Sequence, residues 1–218
     1  MLEAQDLTVS LAGRPVLRGV SVRVETGTSL AIVGPSGSGK ATLLNVLSLA
    51  LTADSGQLMI DGTDMTRITE RQRRHFWGRS AAFVLQDYGL IDEETAGYNV
   101  LLSDPPLRKQ RAVTDPRALS ALESVGLADR AGTTVAALSG GEKQRVGIAR
   151  ALAKDARFVF ADEPTASLDR ANRDRVEQLL LGTAGAERTV IISTHDPELA
   201  ARCDTVLRLE AGRLAPAA

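Results

Sequence analysis

The chain has 218 residues, with 26 Lys and Arg against 27 Asp and Glu and a formal net charge of −1. No global basic field points to nucleic acid, so no direct nucleic-acid partner is expected. The single cysteine, Cys203, cannot close an internal disulfide and reads as a small core residue, and 44% hydrophobic content suits one large domain, or a domain with a subdomain, around a sizeable core.

The opening residues Met1-Leu2-Glu3-Ala4-Gln5-Asp6 have no basic region leading into an apolar one, so no secretory signal is expected. Leu7-Thr8-Val9-Ser10-Leu11 and Val20-Ser21-Val22-Arg23-Val24 then alternate as half-buried strands do. A third strand, Ser29-Leu30-Ala31-Ile32-Val33, runs into Gly34-Pro35-Ser36-Gly37-Ser38-Gly39-Lys40. Glycines let such a turn curl until successive backbone N–H groups point inward at a phosphate chain. A helix beginning near Lys40 adds partial positive charge behind the turn, and Lys40 adds a full one. A surface loop is also rich in Gly and Ser, but strand, turn, lysine and helix in register point to a nucleoside-triphosphate site. In a P-loop of this type the residue after the lysine carries a hydroxyl that ligates Mg²⁺. Here that residue is Ala41, followed by Thr42.

The apolar stretch 43–51 is interrupted by Asn45 and Ser48 and is too short to span a bilayer. A short strand over 57–60 closes in an Asp61-Gly62 turn. Arg67, Arg71, Arg73, Arg74, His75 and Arg79 read as a solvated helix face, with Phe76 and Trp77 as packing residues. From about 93 to 153 the pattern is mostly helical, punctuated by Pro105-Pro106 and Pro116, with an amphipathic stretch over 120–127. Ser139-Gly140-Gly141 opens a further helical run and forms a second candidate anion site, or else an ordinary N-cap. Two cradles in one chain suggest that its own cradles do not face each other, and that a dimer closes each over the other's nucleotide. Phe158-Val159-Phe160-Ala161 reads as a strand buried on both faces with Asp162-Glu163 at its carboxyl end, where ligands collect in open α/β sheets. Asp162 suits a hydrated Mg²⁺ and Glu163 an attacking water. Strand patterns return at 189–193 and 205–209, so strands alternate with helices around a parallel sheet.

In the order and spacing of these motifs the sequence resembles the nucleotide-binding domain of ATP-binding cassette (ABC) transporters, over essentially its full length. Gly34 to Lys40 match the P-loop, Leu138-Ser139-Gly140-Gly141-Glu142 the signature motif, and Asp162-Glu163 the end of the Walker B strand. Gln86, after Ala82-Phe83-Val84-Leu85, matches the Q-loop glutamine, a Mg²⁺ ligand that senses the membrane partner. Ser167-Leu168-Asp169 matches the D-loop, and His195 in Ser193-Thr194-His195-Asp196 the switch histidine that contacts the γ-phosphate. The resemblance implies an α/β fold: a P-loop NTPase core of mostly parallel sheet with flanking helices, an antiparallel β subdomain, and a helical signature subdomain. The core is expected over about 1–86 and 155–218 and the helical part over about 87–154. Catalysis falls to Glu163, His195 and Lys40. Phosphate and nucleotide contacts fall to residues 34–42, Gln86, Ser139, Gly140, Gly141 and Asp169, and metal contacts to Gln86 and Asp162. The implied cofactors are ATP and Mg²⁺. The implied partners are a second copy of the chain and a separate transmembrane permease that alone meets the cargo, with the chain on the cytoplasmic side of the cell membrane.

Within the family, Gln86-Asp87-Tyr88-Gly89-Leu90-Ile91 and Asp61-Gly62-Thr63-Asp64-Met65 resemble exporters of the macrolide and lipoprotein-releasing type. Asp92-Glu93-Glu94-Thr95 followed by Tyr98-Asn99-Val100 is similar to the bacteriocin exporters of that branch. Two departures stand out. Ala41 lacks the metal-binding oxygen, and no aromatic precedes Phe76, so adenine meets Leu11 where the family stacks it on a ring. Ala41 leaves open an alternative, a nucleotide-gated regulatory subunit with little hydrolysis. A DNA-repair cassette would need a long coiled coil between Lys40 and Ser139, and a translation factor a second cassette; this sequence has neither.

Overall fold

The computed structural model describes residues 1–102, 112–166, 168–185 and 187–216. Pro105-Pro106 and Ser167 lie outside the described residues.

Ten strands form two sheets among the described residues. Leu2–Leu11 (β1), Arg14–Val24 (β2), Ser55–Ile60 (β4) and Thr63–Asp64 (β5) make an antiparallel sheet of order β2-β1-β4-β5. Ser29–Val33 (β3), Ala81–Val84 (β6), Phe158–Asp162 (β7), Thr189–Ser193 (β8), Thr205–Glu210 (β9) and Arg213–Pro216 (β10) make the second, of order β10-β9-β3-β8-β7-β6. All its pairings are parallel except the edge hairpin of β9 and β10.

β1 and β2 are about twice as long as their alternation suggests, and bulges explain it. Buried residues in β1 are Leu2 and Ala4, then Leu7 and Val9, so the inward parity flips between them. The register shifts at that point, and Asp6 has φ +50°. In β2 the flip lies between Leu17 and Val20, where Gly19 has φ +68°. An extra residue reverses which side chains face inward and erases the period-two signal.

The helices are Lys40–Leu47 (α1), Glu70–Arg79 (α2), Ala96–Val100 (α3), Pro116–Ser124 (α4), Gly140–Ala153 (α5), Arg170–Gly182 (α6) and Pro197–Ala201 (α7). The amphipathic stretch expected over 120–127 is displaced: its helix starts at Pro116 and ends at Ser124. Asp115 caps it by accepting from the Arg117 N–H (2.9 Å), and Pro116 occupies the first turn, where a missing N–H costs nothing. Gly126, at φ +73°, turns the chain away. α2 carries the basic run as an exposed face; Arg71, Arg74 and Arg79 point to solvent, and Phe76 alone is buried.

Both faces of the parallel sheet are covered, which is why β3, β7 and β8 are apolar at successive positions. Phe158, Phe160 and Ile191 face α1 and the antiparallel sheet, whereas Val159, Ala161, Val190 and Ile192 face the helices that follow β6. Phe76, Phe158, Phe160 and Phe83 form a ladder with centroids 5.8–6.2 Å apart. Trp77 meets Phe83 edge-on and donates from Nε1 to the Ser48 carbonyl (2.8 Å). Cys203 packs at the edge of one core, where burial pushes its thiol to about 11, so it stays a protonated packing group.

Candidate active site

Parallel pairing brings the carboxyl ends of β3, β8, β7 and β6 to one edge of the sheet. The register sets Ser193 level with both Ile32 and Asp162, so the loops after these strands emerge side by side. They enclose a cleft of about 510 Å³. Ser36, Gly37, Gly39 and Lys40 line one wall with Ala41 and Thr42, while Gln86, Asp162, Glu163 and His195 line the other.

The turn between β3 and α1 is held by glycines that cannot be replaced without strain. Gly37 and Gly39 have φ +78° and +103°. A Cβ on Gly34 would lie 2.3 Å from the Leu209 carbonyl oxygen, so the turn sits directly against β9. Lys40 is 9% exposed, and its Nζ folds back to donate to the carbonyls of Gly34 (2.9 Å) and Pro35 (3.3 Å). Ser38 Oγ is buried with no hydrogen-bond partner. A hydroxyl desolvated without a partner is costly, and a phosphate oxygen in the turn is the partner it lacks. The cradle therefore fits a polyphosphate.

Opposite the cradle, Ser193 Oγ donates to Asp162 Oδ1 and so fixes a carboxylate that lines the cleft. Glu163 follows at φ +46°, an uncommon conformation for a side chain this size, and its backbone N–H donates to the Ser193 carbonyl (3.0 Å). Its carboxylate is 14% exposed and its Oε2 lies 2.8 Å from His195 Nδ1, whose ring is 70% exposed. Among the described residues no three His, Cys, Asp or Glu side chains converge on one point. A Mg²⁺ ion here would take Asp162 and Gln86, directly or through water, and complete its shell from phosphate and solvent, a set of hard oxygen donors that suits it.

The remaining predicted residues are not in this cleft. Ser139 caps α5 in a capping box: Glu142 Oε2 accepts from its N–H (2.9 Å) and its hydroxyl (2.8 Å). Those hydrogen bonds, the amide first, hold the Glu142 carboxyl below the usual carboxylate range. Part of the second anion cradle is thus filled by the chain's own carboxylate. Asp169 likewise caps α6, accepting from the Asn172 N–H (3.0 Å) and side-chain amide (2.7 Å). Gly140, exposed, and Gly141, half-buried, open the first turn of α5. α5 also reaches the Gln86 loop, where Arg150 donates to the carbonyls of Gly89 (2.5 Å) and Tyr88 (3.0 Å).

Leu11 lines the cleft, as its position predicts, and is 44% exposed. Val16 lines it too, and sequence reasoning missed it. Its only signal would have been the bulged register of β2, which the broken alternation conceals. The orienting contact from Ser193 was missed as well, since its target is on another strand.

A glycine turn joining a central parallel strand to a helix, with an acidic strand end beside it, is the arrangement of a P-loop nucleoside triphosphatase. The chain belongs to the ABC transporter family, which it matches over residues 17–166, and it is an ATP-hydrolysing cassette of that family. It is 44% identical over 207 residues to the lipoprotein-releasing system ATP-binding protein LolD of Cereibacter sphaeroides, covering 93% of this chain and 92% of that one. It is 38% identical to the LolD of Porphyromonas gingivalis, covering 98% of both. Among solved structures it is similar to the ATP-binding cassette MJ0796 in a dimeric post-hydrolysis state bound to ADP and Pi. The TM-score there is 0.88 at 28% identity, covering 99% of this chain and 98% of that one.

Proposed function

We propose that this cassette hydrolyses ATP as a homodimer beneath a separate transmembrane permease, on the cytoplasmic side of the membrane, to drive export or release of a cargo that only the permease touches. Similarity to two lipoprotein-releasing ATP-binding proteins over nearly whole chains supports the branch. Among the described residues no helix is long and apolar enough to cross a membrane, which accords with a separate membrane chain. Lys40 grips the β- and γ-phosphates, Glu163 polarises the attacking water, and His195 orients that water or the γ-phosphate. When bound, Mg²⁺ neutralises charge that develops on the phosphates.

The observation that carries the dimer is the separation of Ser139, Gly140 and Gly141 from the cleft that holds Lys40 and Glu163. One chain cannot close both cradles on one phosphate chain, but two chains arranged head to tail can. ATP then has to displace Glu142 from Ser139 as the partner's γ-phosphate arrives. Light scattering of Glu163→Gln with ATP should report a dimer, and a persistent monomer at high protein and ATP concentration removes this reading.

Ala41 and Thr42 both line the cleft. With no hydroxyl at 41, Asp162 and Gln86 would hold the metal together with water and phosphate, and an ion held less firmly would slow phosphoryl transfer more than it would weaken binding. Ala41→Ser should lower the Mg²⁺ concentration needed for half-maximal turnover and raise the maximal rate. If it changes neither while Thr42→Ala abolishes Mg²⁺ dependence, Thr42 is the ligand. Nothing in the geometry favours the regulatory alternative, since Glu163 and His195 stand 2.8 Å apart in the cleft.

A further inference from the structure

Among the described residues the His195 ring has one polar contact, Nδ1 to Glu163 Oε2 at 2.8 Å. The ring is 70% exposed, so packing does not fix it, and the backbone N–H of His195 reaches Glu163 Oε2 only at 3.4 Å. What fixes the loop are its two neighbours. Thr194 is fully buried, and its N–H donates to the Ile32 carbonyl (3.1 Å), which anchors one side to β3. Asp196 anchors the other, and its two oxygens divide the work. Oδ1 caps α7, accepting from the N–H groups of Glu198 (2.9 Å) and Leu199 (3.4 Å). Oδ2 meets the guanidinium of Arg173, on the first turn of α6, at 3.2 Å.

We propose that Arg173 is a positioning residue for ATP hydrolysis, holding the His195 loop through Asp196 so that the ring stays against Glu163. This rests on the reading of Glu163 and His195 as the hydrolytic pair. Arg173 keeps its Nε buried without a partner, a cost that a solvated arginine avoids by turning outward. The helix turn that presents it is itself braced: the adjacent Asn172 bonds Asp169 and accepts from Arg145 of α5. Arg173 therefore transmits the position of a fixed helix to a loop whose functional side chain has no packing of its own. Glu177, one turn further along α6, pairs with Arg202 through Oε2 at 2.9 Å, and Asp196 is the carboxylate that Arg173 meets at ion-pair distance.

The test is steady-state turnover of the full-length chain with ATP. Arg173→Ala should lower kcat about tenfold with KM for ATP changed less than about twofold, because misplacement of a catalytic group penalises the chemical step. Arg173→Lys, which keeps a charge within reach, should recover most of the rate. Asp196→Asn keeps the helix cap, for which Asn and Asp serve equally, but removes the ion pair, so it should match Arg173→Ala. Combined with His195→Ala, Arg173→Ala should add no further loss, since it acts through that ring. Wild-type kcat in Arg173→Ala, or a loss that multiplies with that of His195→Ala, overturns the proposal. If His195→Ala turns over normally, the reading of the hydrolytic pair fails, and the proposal with it. Should Arg173→Ala not fold, Asp196→Asn decides by the same criteria.

Discussion

Glu163→Gln should lower ATP turnover by about 10²–10⁴-fold, the usual cost of removing a general base, while nucleotide binding is retained. Glutamine has the size of glutamate, so it fits a side-chain site that is only 14% exposed and still reaches His195 Nδ1 across 2.8 Å. What it loses is the basic oxygen that takes up a proton from water. Lys40 is held by the carbonyls of Gly34 and Pro35 rather than by Glu163, so the phosphate grip should be untouched. Phosphate release and equilibrium binding of a fluorescent ATP analogue separate the two effects. Turnover within about threefold of wild type would remove Glu163 from the chemistry.

Lys40→Ala should act on binding itself. The lysine brings a full positive charge to the cradle and is nearly buried, so its attraction for phosphate is poorly screened by water. A charge-assisted hydrogen bond contributes about 1.5–3 kcal/mol, and losing it should weaken ATP affinity roughly 10- to 150-fold. The carbonyls of Gly34 and Pro35 lose a donor as well, so the nucleotide-free chain should melt at a lower temperature. Arg is a poor substitute, because a planar guanidinium does not reproduce the compact point charge that Lys40 sets against the carbonyls of Gly34 and Pro35. Titration calorimetry with ATP reads the affinity directly. An unchanged dissociation constant in Lys40→Ala would show that the backbone amides alone hold the phosphates.

Much of this site could be read locally because its chemistry is carried by contiguous residues. Strand, glycine turn and helix at 29–47 form a unit whose shape follows from φ freedom at Gly37 and Gly39 and from the helix start at Lys40. The doubly covered strands β7 and β8 declared themselves by successive apolar residues, and the carboxyl end of β7 marked Asp162 and Glu163. Family resemblance added Gln86, Asp169 and His195, none of which would stand out alone. Ser139 could also be read as the N-cap of α5.

The sequence by itself determined the phosphate cradle, the acidic strand end and the alternation of strands and helices, since each is a pattern among near neighbours. Tertiary structure alone decided which loops share the cleft, because that depends on the strand order β3-β8-β7-β6 and on a register that levels Ser193 with Asp162. It decided that Val16 reaches the nucleotide cleft, through bulges that reverse the parity of β2. It also decided that Arg173 meets Asp196, residues on separate elements with no periodicity between them. Backbone propensities and turn chemistry act over a few residues, whereas ion pairs across elements exist only after the sheet has set the spacing.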